Sequence, residues 1–121
     1  MANIQIIGKA FTIGTTVQGY VLPGGMPGSQ VSTKVIQLVG TSPVGFSITV
    51  QGRTVGSGNA GVPIPYRKRY LNGAVGDDTF VSTAITTDSL IEVNADGIDI
   101  ILNVTAATSG SFAVTTVDLV G

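Results

Sequence analysis

Four aspartates come in two pairs whose spacing could serve a hard cation. Asp77 and Asp78 are adjacent, and Asp96 and Asp99 lie three positions apart. Calcium takes roughly six to eight oxygen ligands, and these carboxylates would supply several if the fold brought them together. Asp96 is followed by Gly97, however, and Asp-Gly is a strong turn dipeptide, which accounts for that pair without a metal. Paired carboxylates can also flank a glycosidic bond. Such a site needs a cleft lined with aromatic rings. The chain has three Tyr, four Phe and no Trp, and Phe46 and Phe112 sit in runs that belong to a core. The absence of Cys and His removes thiol chemistry, disulfides, the commonest general base and the commonest transition-metal ligand. Gly24-Gly25-Met26-Pro27-Gly28 and Gly56-Ser57-Gly58 lack the Gly-Lys-Ser/Thr of a phosphate loop and read as loops. The expectation is a protein that is not an enzyme and carries no cofactor or metal.

One run of cations stands out. In Tyr66-Arg67-Lys68-Arg69-Tyr70, three positive charges lie between two phenols. Such a run could hold phosphates with bases stacked on the rings. It could equally dock a protein, since tyrosine and arginine are enriched at interfaces, or be a solvated edge strand guarded by charge. The sequence pI of about 4.9 argues against a dedicated nucleic-acid binder.

The charges are few and segregated. Only 11% of residues are charged, against about 25% in ordinary domains, and mean hydropathy is +0.45. All six basic residues precede Val75 and all seven acidic ones follow it. Either these charges pair inside one fold, or they form opposed faces that dock copies head to tail or onto a charged partner.

The elements that must position these groups are strands. Of the 121 residues, 43 are Val, Ile or Thr, side chains that suit a pleated surface. No window sustains helical apolar spacing, and no apolar run is long enough to span a membrane. The N-terminus lacks the basic and apolar regions of a secretory signal. Period-2 alternation marks strands over 45–51, 98–106 and 111–120, with further strands over 31–39, 80–86 and 90–93. Val62-Pro63-Ile64-Pro65-Tyr66 reads as an edge segment, because proline cannot donate to a ladder. Residues 1–30 read as an N-terminal arm, with β-prone Ile4, Ile6 and Phe11, and a Gly/Pro linker joining it to a domain over 31–121. An arm of this kind can complete a ladder on another chain or fold back on its own sheet. The fold class expected is an all-β, single-domain β-sandwich of seven to eight strands, jelly-roll or immunoglobulin-like, with an extended arm. So little charge leaves an exterior of Thr, Ser, Gly, Gln and aliphatic groups, which suits an assembly of copies, a cyclic trimer foremost, or a larger partner.

Residues 45–121, nearly two-thirds of the chain, resemble small virion proteins of tailed bacteriophages. The resemblance rests on Gly45-Phe46-Ser47-Ile48-Thr49-Val50-Gln51-Gly52-Arg53, on Ala84-Ile85-Thr86-Thr87-Asp88, on the run from Val93 to Ala106 through Asp96-Gly97-Ile98, and on Thr108-Ser109-Gly110-Ser111. The pattern is similar to the β-sandwich of capsid decoration (cement) proteins and of head or tail fibre proteins. It implies a virion component. The first implied function is a decoration protein on the capsid surface, binding the major capsid protein and stabilising contacts between its subunits. The alternative is a head or tail fibre module that binds a host receptor or glycan. The candidate contact residues are Ile4, Ile6, Lys9 and Phe11 of the arm, and Tyr66, Arg67, Lys68, Arg69 and Tyr70.

Overall fold

The structure, a computed structural model, describes residues 7–22, 31–68 and 80–120. Ile4, Ile6, Arg69, Tyr70, Asp77, Asp78 and most of the Gly/Pro linker lie outside the described residues. Within them the chain forms ten strands and no helix: β1 (Ile7–Ile13), β2 (Gly19–Leu22), β3 (Val31–Val44), β4 (Ser47–Thr54), β5 (Val62–Pro63), β6 (Tyr66–Lys68), β7 (Phe80–Val81), β8 (Ser89–Asn94), β9 (Ile98–Ala106) and β10 (Ser109–Val120). They make a six-stranded sheet in the order β1-β10-β3-β8-β6-β7 and a four-stranded sheet in the order β2-β9-β4-β5. The two sheets pack face to face in an all-β, single-domain sandwich that does not close into a barrel.

This corrects one expectation. The described residues hold ten strands, not seven or eight, partly because three segments of two or three residues (β5, β6, β7) extend the two sheets beyond β4 and β8. The stretch read as an arm of one or two strands takes the second of its two expected courses among the described residues, folding back on its own sheets. β1 pairs antiparallel with β10 along its whole length, and β2 pairs with β9, so residues 7–22 add one edge strand to each sheet of their own chain. The segment 80–86 is a strand only at Phe80–Val81; beyond it, Ile85 exchanges two backbone hydrogen bonds with Ile48 of the other sheet, at 2.7 and 3.0 Å.

Alternation places the core. Ile48 and Val50 of β4, Ile91 and Val93 of β8, Ile100, Leu102 and Val104 of β9, and Phe112 and Val114 of β10 point between the sheets and are buried. Phe46 meets Phe112 edge to face with ring centroids 5.1 Å apart, the geometry that the ring quadrupoles favour. The β10 turn is tight. Gly110 has φ +87°, and a Cβ there would run into the Ser42 carbonyl, so the β3–β10 ladder skips a residue at this point. Only glycine fits both the backbone and the space.

The charge segregation finds its explanation in the topology. Antiparallel pairing sets earlier strands against later ones, and three ion pairs among the described residues each join a base from before Val75 to an acid from after it. Lys34 Nζ donates to Asp118 Oδ1 at 2.6 Å, Arg53 Nε to Asp99 Oδ2 at 3.2 Å, and Arg67 Nη2 to Glu92 Oε2 at 3.0 Å. In all three the partners lie directly opposite each other across a ladder. Among the described residues, then, segregated charge serves pairing inside one fold.

Two outcomes follow. Lys34 is only 3% exposed, so Asp118→Ala, which leaves its ammonium without this partner, should cost about 3 kcal/mol in urea unfolding. The double change Lys34→Met with Asp118→Leu should stay within about 1 kcal/mol of the parent. Gly110→Ala should lower stability by about 2 kcal/mol or more in the same assay.

Candidate interaction surface

The two sandwich exteriors differ. Over the four-stranded sheet the loop 55–61 lies on β9. Asp99 Oδ2 accepts from Arg53 Nε and from the Gly56 N–H, both at 3.2 Å, and Arg53 Nη1 donates to the Asn59 carbonyl. Gly61 passes so close to Ile101 that a Cβ would stand 2.9 Å from its Cδ1. Asp99 and Ile101 are therefore buried although their parity points them outward, which breaks the alternation of β9.

The exterior of the six-stranded sheet carries no such cover among the described residues. Its cross-strand rows can be read from the registers: Thr12, Ala113 and Val39; Ala10, Thr115 and Gln37; Val117 and Val35. These side chains are exposed or half-buried, with Val39 at 43%. Across β1, β10 and β3 this face shows no charged side chain among the described residues. It is small-residued, with methyl and hydroxyl groups interleaved. Charge returns at the far side, where Phe80, Arg67 and Glu92 stand in one row across β7, β6 and β8.

The structure separates the two groups of expected contact residues. Lys9 is exposed on β1, and Phe11 is half-buried and stacked on Tyr20 at 5.5 Å. Tyr66, Arg67 and Lys68 lie on β6, four strand spacings away in the same sheet, or about 19 Å. Tyr66 is fully buried, and its hydroxyl donates to the Thr83 carbonyl at 2.7 Å, so its ring belongs to the core and leaves the surface patch. Arg67, one residue on, faces outward and pairs with Glu92. Lys68 is half-buried opposite Ile91. The aspartate pair also divides: Asp96 is exposed in the turn after β8, where its N–H donates to Asn94 Oδ1 at 3.0 Å, whereas Asp99 holds the loop 55–61. Among the described residues no three Asp, Glu, His or Cys side chains gather where they could hold a metal.

Residues the sequence reading passed over are Phe80, Glu92, Asn94 and the uncharged rows of β3 and β10. The signal for the rows was present in Val35-Ile36-Gln37-Leu38-Val39, where either parity is uncharged.

No family model matches the chain, and no curated protein matches it in sequence. Two solved structures match the chain in a structural comparison. One is the crystal structure of the SPBc2 prophage-derived protein YomS, with a TM-score of 0.57 and 10% identity over 98% of this chain and 99% of that one. The other comes from work on Bacillus endospore appendages described as disulfide-linked pili, with a TM-score of 0.38 and 13% identity over 99% and 93% of the two chains. The first likeness runs the length of both chains and is one of fold; the second is too distant to add to it.

If Asp99 holds the cover over the smaller sheet, Asp99→Ala should loosen it locally. Hydrogen exchange at Gly56 and Ser57 should quicken by about tenfold or more, as expected when a charged acceptor is lost. Amides of the β3–β10 ladder should keep their protection.

Proposed function

We propose that the chain is a structural, non-enzymatic component of a phage virion, and that it acts as a decoration protein on the capsid. It lays the uncharged exterior of its six-stranded sheet on major capsid protein subunits and stabilises the contacts between them. The observation that carries this reading is that charge-free face, spanning β1, β10 and β3 of the larger sheet, where the smaller sheet has the loop 55–61 laid over part of β9. Depletion of charge marks the centre of protein interfaces, and apolar patches of this kind call for a partner. The full-length fold likeness to a prophage-derived protein supports the phage setting. Lys9 and Phe11, at the β1 edge, remain for contacts between copies, and a trimer is the assembly we favour. Each contact is weak alone; many symmetric copies supply avidity.

The test is to count this protein in purified particles by quantitative mass spectrometry and to repeat the count with Val39→Lys and Thr115→Glu variants. Hundreds of copies on the head, falling at least about tenfold in the variants while circular dichroism is unchanged, is the expected result. A handful of copies at the tail would instead favour the fibre module, and absence from particles would sink both.

A further inference from the structure

We propose that the corner of the six-stranded sheet around Phe80 is a binding site for a neutral sugar, an N-acetylated hexosamine. Phe80 is the one aromatic side chain among the described residues that is exposed, at 59%. Its neighbours across the sheet are Arg67 and then Glu92. Two hollows meet at this ring. One, of about 310 Å³, is lined by Thr33, Arg67, Phe80, Glu92, Asn94 and Asp96. The other, of about 400 Å³, shares Phe80, Asn94 and Asp96 and adds Ile64, Pro65 and Ile98. Both volumes are within the lower range of small-ligand sites.

The chemistry of the lining selects the ligand. A sugar hydroxyl both donates and accepts, so a site for a polyol needs donors and acceptors side by side. The first hollow has them: the Arg67 guanidinium and the Asn94 NH₂ donate, the Glu92 and Asp96 carboxylates accept, and the Thr33 hydroxyl does either. Asn94 spends its Oδ1 on the Asp96 N–H within the turn, so its NH₂ is the group it can offer. A hexopyranose also has an apolar face of C–H bonds, which matches the electron-rich face of Phe80. The second hollow is walled by Ile64, Pro65 and Ile98 and suits an acetyl methyl, with the acetamide polar atoms turned toward Asn94.

The same lining disfavours other classes. Two carboxylates beside one guanidinium repel an anion, whether phosphate or an acidic sugar. One ring does not make the aromatic cage that a quaternary ammonium needs, and the Arg67 guanidinium, already paired with Glu92, leaves a single carboxylate, Asp96, to balance a cation. The groups are held in place before any ligand arrives. Arg67 and Glu92 are paired at 3.0 Å, and Gly97, at φ +74°, closes the turn that carries Asn94 and Asp96. This site goes beyond the virion reading and does not depend on it: the particle count can fail while the sugar binds, and the reverse.

Saturation-transfer NMR on the whole chain tests it, with N-acetylglucosamine, N-acetylgalactosamine, glucose, the acidic N-acetylneuraminic acid and choline as probes. The expected result is transfer to at least one N-acetylhexosamine, its acetyl methyl included, with a Kd on the order of 1 mM. Phe80→Ala should weaken that binding at least about tenfold and Asp96→Ala severalfold, while Phe80→Tyr, which keeps the ring, retains it. Because Phe80 is exposed, its loss should leave the thermal midpoint within a few degrees of the parent, which separates loss of binding from loss of fold. No transfer to either N-acetylhexosamine up to about 50 mM, equal binding by Phe80→Ala, or preference for the acidic sugar or for choline would overturn the proposal.

Discussion

The sandwich depends on strands from the two halves of the chain meeting in one register, and three cross-strand ion pairs hold that register. A strand rich in Val, Ile and Thr resists a slip of one residue, because that would turn its buried face outward. A slip of two residues keeps the faces and is opposed only by what sits at particular rungs. Lys34 opposite Asp118, Arg53 opposite Asp99 and Arg67 opposite Glu92 each mark one ladder in this way. Everything in the larger sheet hangs on the first of these, the β3–β10 ladder: β1 is attached to β10, β8 to β3, and β6 with β7 to β8. Among the described residues six charged side chains are committed to alignment in this way.

That commitment shapes the exterior. Lys34 and Asp118 share the parity of the buried Ile36 and Phe112, so the outward rows of β10 and β3 are left to threonine, alanine, valine and glutamine. On the smaller sheet the Arg53–Asp99 pair also draws the loop 55–61 over β9 and so buries Ile101. On the larger sheet the corresponding pair, Arg67 with Glu92, stands off to one side, and the middle of the face stays bare. The asymmetry comes from where a single pair is placed, and it separates a closed side of the molecule from one suited to contact.

Strong alternation makes several strands readable from sequence. The strand over 98–106 is observed as Ile98–Ala106, and 90–93 differs from Ser89–Asn94 by a residue at each end. β1 and β2 look like an arm in sequence because the Gly/Pro-rich stretch after them resembles a boundary, and composition says nothing about whether a strand's partner is near or distant along the chain. Tyr66 shows a subtler failure. A run of charges draws attention to the whole of 66–70, yet in a strand neighbouring residues face opposite ways, and Tyr66 points inward while Arg67 points out. The corner around Phe80 is invisible in sequence for a related reason: Thr33, Arg67, Phe80 and Glu92 are far apart in the chain, and only the strand order brings them together.

The first and last strands run side by side, with Ile7 opposite Asp118. The polypeptide therefore enters and leaves the larger sheet at a single point on its β1–β10 side. Loss of β1 from that side would uncover the unpaired backbone of β10, a long strand edge open to pairing with another chain.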